Sequence, residues 1–377
     1  MKINFILLSI FSFLFFSCEP FITEFGDLED AVMYESSSFI EPPENITSPK
    51  IVTWNIRFGA GRIPWTYDSC GDRVLLTNDE LMENLNELVN FINVMDPDII
   101  LLQEVDVLSK RSGYLDQVQW LLDNTNFNYG AYASMWQAQY IPNDGLGRID
   151  QGNAVLSKWK IGEAQRIQLS LRTDQSSFVQ YFYLRRNILK TKIEVPSSIT
   201  TDPFYAIATH TTAFATDDTK QKHINEFYDV LSSIEEDAIF IAGGDLNALS
   251  PWGWEHQYDF CYEDQCDGDV CDGDLENNAI YEGSYFNHLE NEQNLLLPLY
   301  NDFYSAIDAS NEINTTINFT HSTWNIEEEN SNYSSSDYWN RKLDYLFSSN
   351  SLINGLTHQD AYDLSDHAPV SATLEVE

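Results

Sequence analysis

The sequence predicts an α/β domain, and three observations carry that reading. Short apolar, β-branched runs recur from residue 50 onward. Between them lie segments whose apolar residues repeat at helical spacing. No Gly/Ser-rich linker interrupts the alternation, so residues 50–377 read as one domain. Ile51-Val52-Thr53-Trp54 is the first strand-like run. Leu81, Leu85, Leu88, Ile92 and Met95, joined by Met82 and Val89, then mark one face of a helix. Thr77 and Glu80 supply a capping box at its start, and Asp96-Pro97 stops it. Ile99 to Leu102 reads as a buried strand, and so do runs around 154–156, 187–195, 204–209 and 238–242. A second amphipathic helix carries Ile224, Phe227, Tyr228, Leu231 and Ile234. Two late strands are expected near 343–347 and 369–374. Residues 251–300 and 311–340, rich in Asn, Ser, Asp and Glu, read as long excursions, which in such domains often form functional rims.

The N-terminus reads as an export signal over residues 1–17. Lys2 gives a positive start, and the apolar run Ile3 to Phe16 falls short of the about 20 residues that a membrane-spanning helix needs. The run ends in Leu14-Phe15-Phe16-Ser17-Cys18, which resembles a bacterial lipobox with Phe15 where Leu is usual. Cys18 is then the expected lipidation site, and the protein is expected at the cell envelope, anchored to a membrane. Residues 18–49, acidic and without sustained periodicity, read as a tether.

Among 377 residues, 20 are Lys or Arg and 59 are Asp or Glu, for a formal charge of −39. Aromatic residues make up 14% of the chain, which argues against a disordered acidic polymer. The charge argues against a protein that holds nucleic acid by neutralising phosphates. The carboxylates either form a solvated acidic surface or serve cations. Cys70, Cys261, Cys266 and Cys271 follow Cys18, and four thiols allow three disulfide pairings. The last three open the five-residue units CYEDQ, CDGDV and CDGDL, within an acidic insertion near 255–280. Asp267, Asp269, Asp272 and Asp274 there either hold structural Ca2+ or sit on a disulfide-stapled loop that binds nothing.

Polar residues collect at strand ends. Asn55 follows the first strand and Glu104 the second; His210 ends the run Ala206 to Thr209. Asp245 and Asn247 follow Ile239 to Gly244, Asp344 opens the strand Asp-Tyr-Leu-Phe, and Asp366-His367 precedes the last strand. Side chains at strand ends of α/β sheets converge on one crevice. Carboxylates with Asn and His, without a glycine-rich phosphate loop, suit a hard cation such as Mg2+ or Mn2+ acting on a phosphoester. No GxSxG elbow, Walker loop or HExxH segment is present.

The segments Trp54-Asn55-Ile56-Arg57, Leu102-Gln103-Glu104-Val105-Asp106, Thr209-His210, Gly244-Asp245-Leu246-Asn247-Ala248, Leu343-Asp344-Tyr345 and Ser365-Asp366-His367-Ala368-Pro369 resemble, in order, the motifs of the endonuclease/exonuclease/phosphatase superfamily. Gly152 to Lys158 resembles that group's short strand beside the active site. The resemblance implies a four-layer, DNase I-like α/β sandwich of two packed sheets flanked by helices. It implies Glu104 as principal metal ligand, with Asn55 and Asp366. It also implies Asp245 and Asn247 positioning water and phosphate, His367 held by Asp344, and His210 against a phosphate oxygen. Which of Asp245 and His367 is the general base stays open.

Arg57, Asn153 and Arg186 are the expected substrate contacts. The basic pairs Lys110-Arg111, Arg185-Arg186 and Arg341-Lys342 read as solvated faces rather than a nucleic-acid groove. A monomeric phosphodiesterase acting on a small or lipid-borne phosphoester is expected, with a secreted nuclease and a calcium-stabilised, non-catalytic binding module as alternatives. The loop Pro251-Trp252-Gly253-Trp254 is either a substrate or membrane rim or a packed anchor.

Overall fold

The structure, a computed structural model, describes residues 21–376 except 44, 66–71, 144, 214, 253–293, 313–314, 323–338 and 340. Its strands, in chain order, are β1 (Leu28–Asp30), β2 (Val32–Glu35), β3 (Lys50–Asn55), β4 (Ile99–Asp106), β5 (Tyr129–Ile141), β6 (Gly147–Ser157) and β7 (Ile161–Gln168). They continue with β8 (Asn187–Ile193), β9 (Phe204–His210), β10 (Ile239–Asp245), β11 (Tyr304–Ser305), β12 (Asp344–Ser348), β13 (Leu352–Thr357) and β14 (Val370–Leu374). The α-helices are α1 (Asn78–Met95), α2 (Gln117–Asn124), α3 (Ser177–Phe182), α4 (Thr219–Ser232) and α5 (Leu297–Asp302). Two seven-stranded mixed sheets result, ordered β1-β7-β8-β9-β10-β12-β11 and β13-β14-β3-β4-β6-β5-β2.

Three apolar clusters explain the stacking. Ile51, Ile99, Leu101 and Val155 of one sheet meet Leu189, Ala206, Ile241 and Leu346 of the other, forming the inter-sheet core. The alternate residues of the same strands, Val52, Trp54, Ile100 and Leu102, face Leu81, Leu85 and Leu88 of α1 and Leu121 and Leu122 of α2. Ile207, Phe240, Ala242 and Phe347 face Ile224, Phe227 and Leu231 of α4 and Leu299 of α5. Each central strand is therefore buried on both faces, which is why it reads as a continuous apolar run instead of an alternation. The layer order is helix, sheet, sheet, helix: the expected four-layer sandwich.

Helix α1 begins as the sequence indicates. Thr77 Oγ1 accepts from the Glu80 amide, and Glu80 accepts from the Thr77 amide at 2.8 Å. Arg73 adds a contact to Glu80 at 2.7 Å. The tether reading fails for residues 22–35. Ile22 is buried, β1 pairs with β7 and β2 pairs with β5, so residues before 50 contribute an edge strand to each sheet. Leu28-Glu29-Asp30 and Val32 to Glu35 are short and mostly exposed. They join through backbone hydrogen bonds, which leave no periodicity in the sequence. Cys18, the other four cysteines and the Asp267–Asp274 repeat lie outside the described residues. Among the described residues, no helix is long and apolar enough to cross a membrane.

Candidate active site

The pairing registers bring the strand ends to one place. In parallel β9 and β10, Asp245 stands opposite His210, and in antiparallel β12 it stands opposite Asp344. In the other sheet Asn55 stands opposite Gln103 in parallel β3 and β4. The two sheets are laced at this end by Asn55 Nδ2, which donates to Asp245 Oδ2 at 3.1 Å and to Glu104 Oε1 at 3.2 Å. Gly243 and Gly244 make the β10 register possible. A Cβ on Gly244 would stand 1.9 Å from the Thr209 carbonyl oxygen, and one on Gly243 would stand 2.0 Å from that of Tyr345.

Backbone strain aims two of the side chains. The β4–β6 register shifts between Leu102 and Val105, and within that bulge Glu104 takes φ 57°. Bulges of this kind re-aim a side chain next to a site. Asn247 takes φ 45°, a conformation Asn tolerates better than most residues. Its amide N–H donates to Asp245 Oδ1 at 3.0 Å.

A cleft of about 720 Å³ opens here, lined by Glu104, His210, Asp245, Asn247, Asp366 and His367. Asp245 is its centre. Oδ2 lies 3.1 Å from His210 Nε2 and 3.6 Å from His367 Nε2. Burial opposes the charge of Asp245, but His210, His367 and these donors outweigh it and hold the carboxyl well below the usual range. Behind His367, Asp344 Oδ2 accepts from Nδ1 at 2.7 Å. Burial disfavours the imidazolium, yet Asp344 and Asp245 together raise His367 to about 10. His210 goes the other way. Burial and the nearby Arg186 cation lower it to about 4, so it faces Asp245 as a neutral ring. Two histidines on one carboxylate thus carry different charges, set by what lies behind each.

Arg186 lines the same cleft, as expected. Its side chain is buried, Nη1 reaches only Met135 Sδ at 3.7 Å, and Nε has no hydrogen-bond partner. It makes no ion pair among the described residues.

Three expectations are corrected by geometry. Arg57 does not line the cleft. Its Nη1 donates to the Gly61 and Ile63 carbonyls at 2.8 and 3.1 Å, and Nε sits 3.3 Å from Asp366 Oδ2, so it braces a loop and a carboxylate. Asn153 is buried between the sheets, where Nδ2 donates to the Asn187 backbone and side-chain oxygens at 3.2 Å each. Asn55 offers its nitrogen, not its oxygen, to the carboxylates, because Oδ1 already accepts the Arg57 amide at 3.0 Å. It bridges Glu104 and Asp245 through Nδ2. The basic pairs are not solvated faces either. Arg111 is buried on Asp106 through two contacts of 2.8 and 2.9 Å, and Lys342 is buried on Glu312.

Sequence reasoning missed His321 and Arg341, which also line the cleft. His321 lies in a stretch that reads as a polar excursion. Thr320 just before it accepts from the Leu343 and Asp344 amides through Oγ1, so this stretch is anchored into the site. A second Thr-His pair, matching Thr209-His210, was the one available signal. Trp252 packs edge-on against Tyr300 at 4.7 Å, as a loop anchor; Trp254 lies outside the described residues.

A sequence model of the Endonuclease/Exonuclease/phosphatase family matches residues 52–367. The chain belongs to that family. Its members are generally phosphoester hydrolases, and divalent metals typically serve them. The donor set fits such a cation: Glu104 and Asp366 supply hard oxygens to the cleft, and His367 and Asp245 stand beside them. Among solved structures, the chain resembles an endonuclease/exonuclease/phosphatase from Beutenbergia cavernae, with 15% identity and a TM-score of 0.51 over 88% of this chain and 72% of that one. It resembles a family protein from Leptotrichia buccalis equally, at 15% identity and TM-score 0.51 over 87% and 100%. A Bacteroides vulgatus family protein gives 15% and 0.50 over 88% and 100%. These likenesses show the shared fold. No curated protein matches the chain.

Proposed function

We propose that this protein is a divalent-metal-dependent phosphodiesterase acting on a small or lipid-borne phosphoester. The observation that carries the reading is Arg186: a buried guanidinium without a carboxylate partner, in the same cleft as Asp245 and His367. Leaving a cation so buried and unpaired is costly, and a phosphate oxygen would satisfy it. Asp245, kept ionised, is the general base toward water, and Asn247 orients the attack. His367, kept protonated by Asp344, faces the charge that develops on the phosphoryl oxygens. A divalent cation held by Glu104 and Asp366 would supply Lewis-acid polarisation of the phosphoryl group.

The walls support this substrate class. Trp136, Phe182 and Leu184 line the cleft beside Phe178 and Val179, which are 71% and 46% exposed. Trp136 Nε1 donates to the Phe182 carbonyl at 2.8 Å and holds this wall in place. Such a surface suits an acyl or aryl group on the phosphoester. Burial of Arg111, Arg186, Arg341 and Lys342 takes these cations out of any exposed strip that could track a long polyanion among the described residues. Lipidation at Cys18 would place this wall near a bilayer, and a Cys18→Ala variant released from the membrane fraction would support that anchor.

The test is hydrolysis of bis-nitrophenyl phosphate, nitrophenyl phosphate, sphingomyelin vesicles, DNA and RNA with Mg2+ or Mn2+. The expected result is cleavage of the diester and of the vesicle substrate, abolished in Glu104→Ala and His367→Ala without loss of folding. Full activity in either variant, or turnover of nucleic acid alone, would overturn the reading.

A further inference from the structure

We propose that His321, Asp366 and His367 form a binding site for a d-block dication of the Zn2+ kind, and that its occupation switches the phosphoester site off. An imidazole nitrogen of His321, a carboxylate oxygen of Asp366 and a ring nitrogen of His367 all lie within 4.8 Å of one another. His321 is only 8% exposed, and its Nδ1 is buried with no hydrogen-bond partner. An imidazole that gives up water without gaining a partner is destabilised until something binds it. Its ring packs against that of His367 with centroids 4.5 Å apart, so both rings address the same space.

The three donors are fixed before any ion arrives. His321 N–H donates to the Arg341 carbonyl at 2.9 Å, Ser322 N–H to that of Asp366 at 2.9 Å, and Ala368 N–H to that of Thr320 at 2.6 Å. Residues 320–322 are therefore laced to Arg341 on one side and to residues 366–368 on the other, with the ligating side chains between the rungs. His367 shows the arrangement usual for a metal-binding histidine: Nδ1 is held by a carboxylate, here Asp344 at 2.7 Å, which leaves Nε2 to the metal. Arg57 occupies Asp366 Oδ2, and Oδ1, which faces only the Ser365 hydroxyl at 3.2 Å, remains to turn to a cation.

Two nitrogens and one oxygen make a softer set than the oxygens of Glu104 and Asp366. Imidazole-rich sets suit Zn2+, which takes three protein ligands and one water, whereas Mg2+ prefers oxygen alone. The two ions would compete for Asp366. A zinc ion would also take the Nε2 of His367 that otherwise faces the phosphoryl group, displacing its proton to solvent while Nδ1–H stays on Asp344. Binding stands on the geometry alone; the inhibitory consequence rests on the role given to His367 under Proposed function.

The experiment is a calorimetric titration of the full chain with ZnCl2 in the presence of Mg2+, repeated with CoCl2 while the visible absorption of the cobalt is recorded. His321→Phe keeps the ring packing and removes both nitrogens; His321→Gln serves if the phenyl ring prevents folding, and melting curves report folding for both. Wild type is expected to bind one Zn2+ more tightly than either variant, by at least about 100-fold, since even outer-shell losses cost about 10- to 100-fold. The cobalt band is expected to weaken in both variants. Zinc inhibition of bis-nitrophenyl phosphate hydrolysis, each protein normalised to its own zinc-free rate, should need at least about tenfold more Zn2+ in the variants. Equal zinc affinity and equal cobalt spectra in wild type and a folded variant would overturn the site. Zinc binding without inhibition would overturn the switch. A wild type that hydrolyses nothing would defeat the phosphodiesterase reading and leave the titration to decide the site.

Discussion

Replacing Asp344 by Asn should convert His367 from a permanent cation into a titrating ring. The substitution is isosteric, and neither the backbone pairing of Asp344 opposite Asp245 nor its amide bond to Thr320 Oγ1 uses the side chain. In the native site His367 is raised from 6.5 to about 10. Each pH unit of that displacement is worth about 1.4 kcal/mol, so the surroundings favour the protonated ring by about 5 kcal/mol. Burial works against the charge, and Asp344 is the chief opposing influence, at 2.7 Å; Asp245 is next, 3.6 Å from Nε2. Assigning Asp344 somewhat more than half of the gain gives about 3 kcal/mol, or about two pH units, which brings the titration of the ring into the assay window and costs roughly twofold in kcat/KM near pH 8 and tenfold near pH 9. The comparison with His210 supports the direction, because that ring shares Asp245 but has Glu104 at 4.0 Å from Nδ1 instead of a carboxylate at 2.7 Å, lies near Arg186, and falls to about 4. The sign is definite. A group needed in its protonated form gives activity below its pKa and loses it above. Wild type should show no histidine-dependent decline between pH 6 and 9, while Asp344→Asn should decline through that window. The assay is kcat/KM for bis-nitrophenyl phosphate at saturating Mg2+ across pH 5 to 9, with thermal melts as the fold control. A variant with the wild-type rate and a flat profile would refute the assignment of His367 as the charged partner.

Arg186→Met should raise KM for a phosphodiester by about 10- to 100-fold with little change in kcat, since a hydrogen bond to a charged group is worth roughly 1.5–3 kcal/mol; unchanged KM would mean the guanidinium never meets the phosphate. His223 is a test of acid stability. Its Nδ1 accepts from the Thr212 amide at 3.1 Å and its Nε2 contacts the Ser170 carbonyl at 2.7 Å, while burial lowers it to about 4. The unfolded chain therefore binds the extra proton between pH 6.5 and 4, and stability is lost as pH falls through that window, by about 3 kcal/mol for this ring. His223→Gln should flatten the fall of the urea midpoint between pH 7 and 4.5, and an unchanged acid slope would count against a neutral-locked ring. Gly244→Ala should cost at least about 3 kcal/mol, because its Cβ meets the Thr209 carbonyl oxygen at 1.9 Å where φ is +144°. A melting temperature within a degree of wild type would contradict the β9–β10 register.

How far the sequence reaches depends on what kind of interaction holds a residue. Helix α1 was legible to its cap because Thr77, Glu80 and the Leu81–Met95 stripe act within one element. The strand ends carrying Glu104, His210 and Asp245 were legible because each follows an apolar run, and Asp366 because it precedes one. Residues whose role depends on a distant partner were not. Nothing local to Arg57 says that its guanidinium turns back to Gly61 and Ile63, and nothing near Asn153 points to Asn187. The strands Leu28–Asp30 and Val32–Glu35 pair by backbone alone, at sheet edges, so their side chains carry no pattern. β5 was unread because its register shifts twice, after Ser134 and after Ala138, which breaks the period on which such a reading relies. His321 was hidden by a polar neighbourhood that only the fold ties to His367.

The acidic surface and the phosphate chemistry are compatible because they act over different distances. Charges on exposed side chains are screened beyond about 10 Å at ordinary ionic strength. Arg186 and His367 are buried, and in our reading they would meet a ligand at hydrogen-bond range in a medium where each contact is stronger than in water. The excess of carboxylates over basic residues thus governs how an anion approaches, and the cleft governs whether it is held. A compact phosphoester, as proposed, would present its whole charge inside that cleft. A long polyanion would leave most of its charge outside, against a surface that repels it. The same separation explains why the basic side chains are scarce yet so often buried. Arg57, Arg111, Arg186 and Lys342 are placed where each cation acts on one specific anion, at Asp366, Asp106, the substrate phosphate in our reading, and Glu312.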